Sequence, residues 1–523
     1  MNGLKPCLAL CALLATGGCT VGPDFQRPAD PATTTYGAQP LPAQTESAPG
    51  PAGLAQRFAP GQQVPSQWWK AFGSPALDEL VAAALQANPD LQAAQAALRA
   101  AHESVAAQRG AYWPSADIGL NSTRQRVSST LSGPLADSDT TLYTLRTAQL
   151  SVGYVPDVFG ANRRQVEALT AAADMRTFER EAVYQTLVAS VVGAAFEQAS
   201  LRAQLAATHQ LIGLADRLLD IARRQHRAGQ ASGADIAAQE AALAQAQAAL
   251  PSLERQLSEQ TNRLAVLLGR LPSEMQQTPQ TPQTPLDLAS LTLPRELPLS
   301  LPSRLVEQRP DVRAALAQWQ AASAQVGVAV AARLPSITLS ASLGSSALDM
   351  SQLLRSGGFW SVGANLAQPV FRGGALLHQQ RAAEAAYAQA EAQYRSTVLT
   401  AFQNTADTLQ AIVSGAQALR AASAAEAAAQ KSLAMARRQR ALGAATQADL
   451  ILAEQACQQA SLARVQAQAG RYTNTVALYQ ALGGWWSASV PPARPPAFPS
   501  ALPPALPPAA SLPAGPALAT SRE

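Results

Sequence analysis

Ile337-Thr338-Leu339-Ser340-Ala341-Ser342-Leu343 alternates apolar and polar residues, and Trp360-Ser361-Val362-Gly363-Ala364-Asn365-Leu366 does the same shortly after. Strict alternation marks a strand with one apolar face. Ala116-Asp117-Ile118-Gly119-Leu120-Asn121 and Ala148-Gln149-Leu150-Ser151-Val152-Gly153-Tyr154 carry the pattern earlier in the chain. Between them lies a loop rich in Ser, Gly, Asp and Thr from Ser128 to Thr141, so this pair predicts a β-hairpin. Four such strands leave open edges and an apolar face with nothing to pack on. If that face meets lipid, the sheet must close into a barrel, because unpaired backbone groups are not tolerated in hydrocarbon. Small closed barrels need about eight strands or more. Four strands per chain fall short, three chains give twelve, and a symmetric ring is the common route to closure.

Helical sequence surrounds the strands. From Gly160 to about Arg227 there is no proline, which predicts a helix about 100 Å long. Gly229 and Gly233 interrupt it. A descending run then places Ile236, Leu243, Leu250, Leu257 and Leu264 seven apart, a coiled-coil seam. Pro251 predicts a kink or break in that run, and Leu268-Gly269 ends it. A second long Ala/Gln-rich helix runs from Gly373-Gly374 to about Leu442. Alanine-dense helices approach closely, which suits a cylinder of helices coaxial with the strands. Helices of this length would cross much of a periplasmic space.

The chain also repeats itself. Asn88-Pro89-Asp90-Leu91 opens a helical run ending at Trp113-Pro114, and Arg309-Pro310-Asp311-Val312 opens one ending at Leu334-Pro335, each 221 positions on. Gly229 through Asp235-Ile236 recurs as Gly443 through Asp449-Leu450, and Leu268-Gly269 as Leu482-Gly483. The expected fold is an α+β membrane protein. It is a trimeric 12-stranded transmembrane β-barrel, four strands per chain, continuous with a long periplasmic α-helical barrel, and each chain holds two internal structural repeats. The expected partition is a leader over 1–18, an anchor and extended arm on the outside of the body over 19–64, and a first repeat over 65–270. A Pro/Thr/Gln-rich connector follows over 271–303, then a second repeat over 304–486 and a disordered Pro/Ala-rich tail over 487–523.

Composition narrows the function. Of 523 residues, 47% are hydrophobic but only 5% aromatic, which fits many thin helices better than one thick core. The net charge is +4, lysine occurs only at Lys5, Lys70 and Lys431, and the arginines are scattered without interleaved aromatics, which argues against nucleic-acid binding. His102, His209, His226 and His378 lack metal-ligand spacing, and no phosphate loop or nucleophile motif is present. No enzyme activity, cofactor or metal is expected. No stretch after the leader has eighteen uninterrupted apolar residues, so no transmembrane helix is expected.

The N-terminus combines Lys5, a short apolar run from Cys7 to Ala15, and Gly17-Gly18-Cys19. This resembles a bacterial lipoprotein cleavage site with Cys19 acylated; an ordinary signal peptide with an incidental cysteine is the alternative. Thr20 instead of aspartate after the cysteine favours the outer membrane of a Gram-negative cell. Cys457 then has no disulfide partner and reads as a small core residue.

An ordered set of motifs resembles the outer-membrane factor (TolC-like) family, in the lipoprotein branch serving resistance-nodulation-division efflux systems. The set is Cys19-Thr20-Val21-Gly22-Pro23-Asp24 through Arg27-Pro28, Trp69-Lys70-Ala71-Phe72 with Pro75-Ala76-Leu77, Asn88-Pro89-Asp90-Leu91, Tyr154 through Gly160 with Arg163-Arg164, and Arg309-Pro310-Asp311-Val312. The resemblance implies a homotrimer that is the outer-membrane channel of a tripartite efflux system. It would be a passive exit duct for drugs or metal ions, driven by an inner-membrane efflux pump through a periplasmic membrane-fusion (adaptor) protein. Gly229 and Gly443 would be the tips that the adaptor contacts, or glycines that merely supply turn geometry. Family members carry acidic rings at the periplasmic aperture. Asp449 matches the first such position, with Asp235 a weaker counterpart, whereas Leu452 stands at the second. An outward-facing helix aspartate is the alternative for Asp449. The family's aromatic and arginine gate-locking positions correspond to Arg440 and Ala445, so that lock is absent or rebuilt here, and Arg437, Arg438 and Arg440 are candidates to hold the closed state by pairing with acidic groups. The rival readings are an exit duct for type I protein secretion and an anchored periplasmic coiled-coil or adaptor protein. An adaptor would carry a lipoyl-like β domain between helices, and none is visible in the sequence.

Overall fold

A computed structural model describes residues 20–483 apart from 30, 34, 38–39, 127–141, 275–285, 354 and 356. Cys19 and its leader, the loop over Ser128 to Thr141, Trp485-Trp486 and the Pro/Ala-rich tail lie outside the described residues.

An N-terminal extended segment leads into β1 (Arg57–Pro60), then α1 (Pro75–Ala87) and α2 (Pro89–Arg109). Ser74 caps α1 by accepting from the Leu77 amide, and Asn88 caps α2 by accepting from the Leu91 amide at 3.0 Å. Pro75 and Pro89 sit in the first turn, where a missing N–H costs nothing. β2 (Ser115–Arg126) and β3 (Leu142–Tyr154) follow, then the 67-residue helix α3 (Ala161–Arg227). The descending run is two helices, α4 (Gly233–Ala248) and α5 (Leu250–Leu267), with the break at Ala249 and Pro251 in the first turn of α5. The proline therefore divides the run as its chemistry requires. Ile236, Leu243, Leu250 and Leu257 are half-buried and Leu264 is buried, so the seven-residue seam faces the body.

The second part of the chain comprises β4 (Glu296–Leu299), α6 (Pro302–Gln308), α7 (Pro310–Ala331), β5 (Ser336–Ala347), β6 (Gly358–Ala367), the 67-residue α8 (Ala375–Ala441) and α9 (Gln447–Leu482). Residues on both sides of the predicted connector end in matching ways. The Asn88 side chain donates to the Leu267 carbonyl at 3.1 Å, and Arg309 Nη1 donates to the Ala481 carbonyl at 2.7 Å. Each satisfies a C-terminal carbonyl that its helix leaves unpaired.

β2, β3, β5 and β6 form one antiparallel sheet in that order. Each strand runs beyond its alternating segment: β2 reaches Arg126, β3 starts at Leu142, and β5 reaches Ala347. The extensions hold polar residues on both faces, Ser122, Arg124 and Arg146 on one and Thr123, Gln125 and Thr147 on the other, so alternation alone did not reveal them.

Two further expectations need correction. The segment over 20–64 is not simply on the outside, because Thr45, Ala52, Gln56, Phe58 and Val64 are buried. Nor is the connector only a linker: Leu288, Leu291, Leu293 and Leu297 are buried, and β4 pairs in parallel with β1, Phe58 opposite Leu297. Leucines spaced through a Pro-rich stretch were the available signal. Both segments cover an aromatic centre where Phe72 meets Phe196 at 5.0 Å and Tyr472 at 6.1 Å, and Trp68 stacks on Tyr479 at 5.0 Å. Burial pushes the Tyr472 and Tyr479 hydroxyls up to about 12. Arg471 fastens this region. Its Nη2 donates to Thr45 Oγ1, the Leu54 carbonyl and Gln56 Oε1 at 3.2, 3.2 and 2.9 Å, and burial lowers its guanidinium to about 10.

Candidate functional site

Over its alternating segments the four-stranded sheet divides its residues by face. Directly paired residues share a face in an antiparallel ladder. Ile118, Leu150, Leu343 and Trp360 form one row across all four strands, and Ala116, Val152, Ala341 and Val362 form the next. The opposite face carries Asp117, Ser151, Ser342 and Ser361 in one row. Ser342 and Ser361 hydroxyls hydrogen-bond at 2.8 Å. Among the described residues nothing covers the apolar face: Ile118 is 88% exposed, and Trp360 and Val362 are 75% exposed. An apolar face this extended needs a partner or a lipid phase.

At the foot of the sheet, where β3 passes into α3, the start of the described chain is fastened. The Val21 amide donates to the Phe159 carbonyl at 3.3 Å. The buried Arg164 donates to the Val21 carbonyl at 3.1 Å, to Asp24 at 2.6 Å and to Glu167 at 2.8 Å. A Cβ on Gly22 would lie 2.4 Å from the Gly327 Cα, so both glycines are required for the segment to cross α7 this closely. The motifs around Val21–Asp24 and Arg163-Arg164 are thus one contact. Thr20, the neighbour of Cys19, lies against Gly160.

The far ends of α3 and α8 turn into α4 and α9. Gly229 and Gly443 have φ of 73° and 72°. Gln230 donates to the Gln225 carbonyl and Gly229 to that of His226, at 2.8 and 2.9 Å; Ala444 to Gln439 and Gly443 to Arg440 repeat this at 2.8 and 3.1 Å. Both are Schellman closures, which need a residue with positive φ. After each turn comes a capping box, Ser232 with Asp235 and Thr446 with Asp449. Both aspartates are exposed. The Thr446 hydroxyl and then its amide hold the Asp449 carboxyl below the usual range, and the Ser232 amide and then its hydroxyl do so for Asp235. Ile451, buried against Leu214 and Leu218 of α3, fixes which way α9 faces. Asp449 is two positions away, about 200° round the helix, and so lies on the side away from α3.

The three candidate arginines are exposed at the end of α8. Arg437 lies 3.6 Å from Glu454, and Arg440 donates to Gln447 at 3.2 Å. Among the described residues no carboxylate pairs with Arg438. Glu454 also lies 3.7 Å from Arg217, so one carboxylate ties α9 to both long helices. Sequence reading missed Glu454, since a single glutamate in an Ala/Gln-rich helix forms no pattern. No cluster of metal-ligating side chains occurs among the described residues. No described helix is long and apolar enough to cross a membrane.

Comparison with known proteins adds to this geometry. The sequence model of the outer membrane efflux protein family matches residues 80–270 and 301–484. The pyoverdine export outer membrane protein OpmQ of Pseudomonas aeruginosa is 32% identical over 424 residues, 81% of this chain and 88% of that protein. The toluene efflux pump outer membrane protein TtgC of Pseudomonas putida is 29% identical over 473 residues, 90% of this chain and 93% of that protein. The solved structure of the outer-membrane channel OprN superposes with a TM-score of 0.74 at 26% identity, covering 89% of this chain and 100% of that one. The exposed apolar sheet, the paired long helices and these matches lead to one conclusion: the chain belongs to the outer membrane efflux protein family, the outer-membrane channels of efflux pumps.

Proposed function

We propose that three copies of this chain close their sheets into a 12-stranded barrel in the outer membrane, above a coaxial α-helical barrel in the periplasm. The observation that carries this reading is the sheet with one exposed apolar face, one polar face and two unpaired edges. The apolar face spans Ala148–Tyr154, Ile337–Leu343 and Trp360–Leu366 on the last three strands. The four strands have 12, 13, 12 and 10 residues, against the roughly 9–11 that a tilted strand needs to cross a bilayer. The polar face lines the bore. Two long helices of 67 residues each, and the matched roles of Asn88 and Arg309, support two structural repeats, over 65–270 and 304–486.

The duct catalyses nothing and is passive; an inner-membrane pump supplies the energy through a periplasmic adaptor that meets the tips at Gly229 and Gly443. Its cargo is small molecules. Asp449, with Asp235 as its weaker counterpart in the repeat, forms a cation-favouring periplasmic aperture, and Arg437, Arg438 and Arg440 help hold it closed. Residues 1–18 are removed and Cys19 is acylated, a reading supported by Thr20 lying at the foot of the apolar sheet. Nitroxide labels test the wall. Val362→Cys should give a label reached by oxygen, and Ser361→Cys one reached by a water-soluble nickel chelate. Equal access to both reagents at both sites would refute the reading.

A further inference from the structure

The two unpaired edges of the sheet belong to β2 on one flank and β6 on the other. Every residue of β2 is exposed, and in β6 only Phe359 is half-buried. Beyond these edges, on the helix side, large apolar side chains stand without cover. Trp113, two residues before β2, is 75% exposed; Val370 and Phe371, just after β6, are 92% and 87% exposed. Single exposed apolar residues are ordinary. Here they flank opposite edges of one sheet, as the two halves of a head-to-tail interface would.

Register connects them. β6 has ten residues. Set antiparallel against the last ten of β2 in a neighbouring copy, Gly358 meets Arg126 and Ala367 meets Asp117. Paired residues then share a face: Leu366 lies beside Ile118 and Ala364 beside Leu120, carrying the apolar rows from copy to copy. A slip of one residue would turn every pair to opposite faces. Continued four residues past Ala367, the same register sets Phe371 level with Trp113. Next to Phe371 is a recess of about 370 Å³ lined by Val370, Leu376, Leu377, Arg333 and Arg372.

We propose that Trp113 of each copy seats in the recess beside Phe371 of the next copy, clamping each seam between sheets at its helix-side end. This rests on the trimeric reading above. The indole covers Val370 and Phe371 and lies by the Arg372 guanidinium, an arrangement that adds cation–π attraction to apolar burial. The clamp fixes the register of a ladder whose backbone bonds alone would tolerate slippage.

The test uses the full-length lipidated protein with Cys457→Ser, carrying Trp113→Cys and Phe371→Cys. A short bismaleimide is applied in membranes, because side chains in contact can hold their Cα atoms further apart than a disulfide spans. The double variant should give covalent dimers and trimers on denaturing gels, and neither single variant should. The mass of the uncross-linked double variant in detergent is measured alongside. A trimer that does not cross-link overturns the clamp and leaves the trimeric reading standing; a monomer overturns both. A milder variant, Trp113→Phe, is read by quenching with brominated lipid. The amount of tryptophan emission that the lipid quenches should be the same with and without Trp113, so the quenched fraction of the smaller total should rise. If the substitution removes a quenched component, the indole lies among lipid headgroups and the clamp is wrong.

Discussion

Asp449 and Thr446 hold each other at the start of α9. The Asp449 carboxylate accepts from the Thr446 amide at 2.8 Å and from its hydroxyl at 2.6 Å, while that hydroxyl accepts from the Asp449 amide at 3.2 Å. Ser232 and Asp235 repeat the arrangement at 2.8, 2.8 and 3.3 Å at the start of α4. Both bonds to the Asp449 carboxylate use Oδ2 and the third uses the backbone amide, so capping the helix is compatible with the proposed task of presenting charge at the aperture. A carboxylate in the first turn also meets the positive end of the helix dipole.

Asp449→Asn separates the two tasks, since an amide oxygen still accepts the capping bonds. Cation preference in planar bilayers should fall while the channel still assembles. Asp235→Asn should change selectivity less. Unaltered selectivity in Asp449→Asn would remove that residue from the mouth.

The lowered Asp449 and Asp235 carboxyls predict a pH dependence. A folded value below the ordinary one, about 3.9 for aspartate, means that the fold favours the charged form. The stabilisation is therefore complete above that ordinary value and fades as pH falls through the lowered one. Corrected hydrogen exchange at the first turns of α4 and α9 should stay level from neutral pH down to about 4, then rise. A rise beginning near neutrality would contradict this origin.

Glu454 is shared by Arg217 of α3 and Arg437 of α8. Glu454→Gln removes both attractions without removing bulk. The resting channel should become leakier, seen as several-fold higher mean conductance in bilayers. Conductance equal to that of the unaltered protein would show that these pairs do not hold the closed state.

Arg471→Ala leaves three acceptors of the N-terminal segment short of a donor, at about 1 kcal/mol each or about 3 kcal/mol together. The segment near Leu54 should become open to protease, with a lower thermal midpoint. Native protease resistance in the variant would mean that the segment is held by its apolar contacts at Ala52 and Phe58 alone.

Some of these features were legible in the sequence and others were not, for physical reasons. The limits of α3, the break before Pro251 and the turns at Gly229 and Gly443 follow from local chemistry: proline lacks an N–H, and glycine tolerates positive φ. The apolar face of the sheet follows from alternation that needs no knowledge of neighbours. The pairing of β1 with β4 is different. Arg57-Phe58-Ala59-Pro60 is too short for a period and ends in proline, and its partner lies more than two hundred positions away. Glu454 and Arg471 were hidden for a related reason, since a lone charge on a helix does not say what it faces. At the start of α9, the position of Asp449 was legible in the sequence, but its bond to Thr446 was not singled out.

The central claim is that one chain supplies a third of a closed wall. Native mass spectrometry of the lipidated protein released from detergent micelles measures this directly. The account requires a complex of three chains, with one diacyl or triacyl modification on each. A complex of one chain, folded and retaining its β signal in circular dichroism, would contradict it.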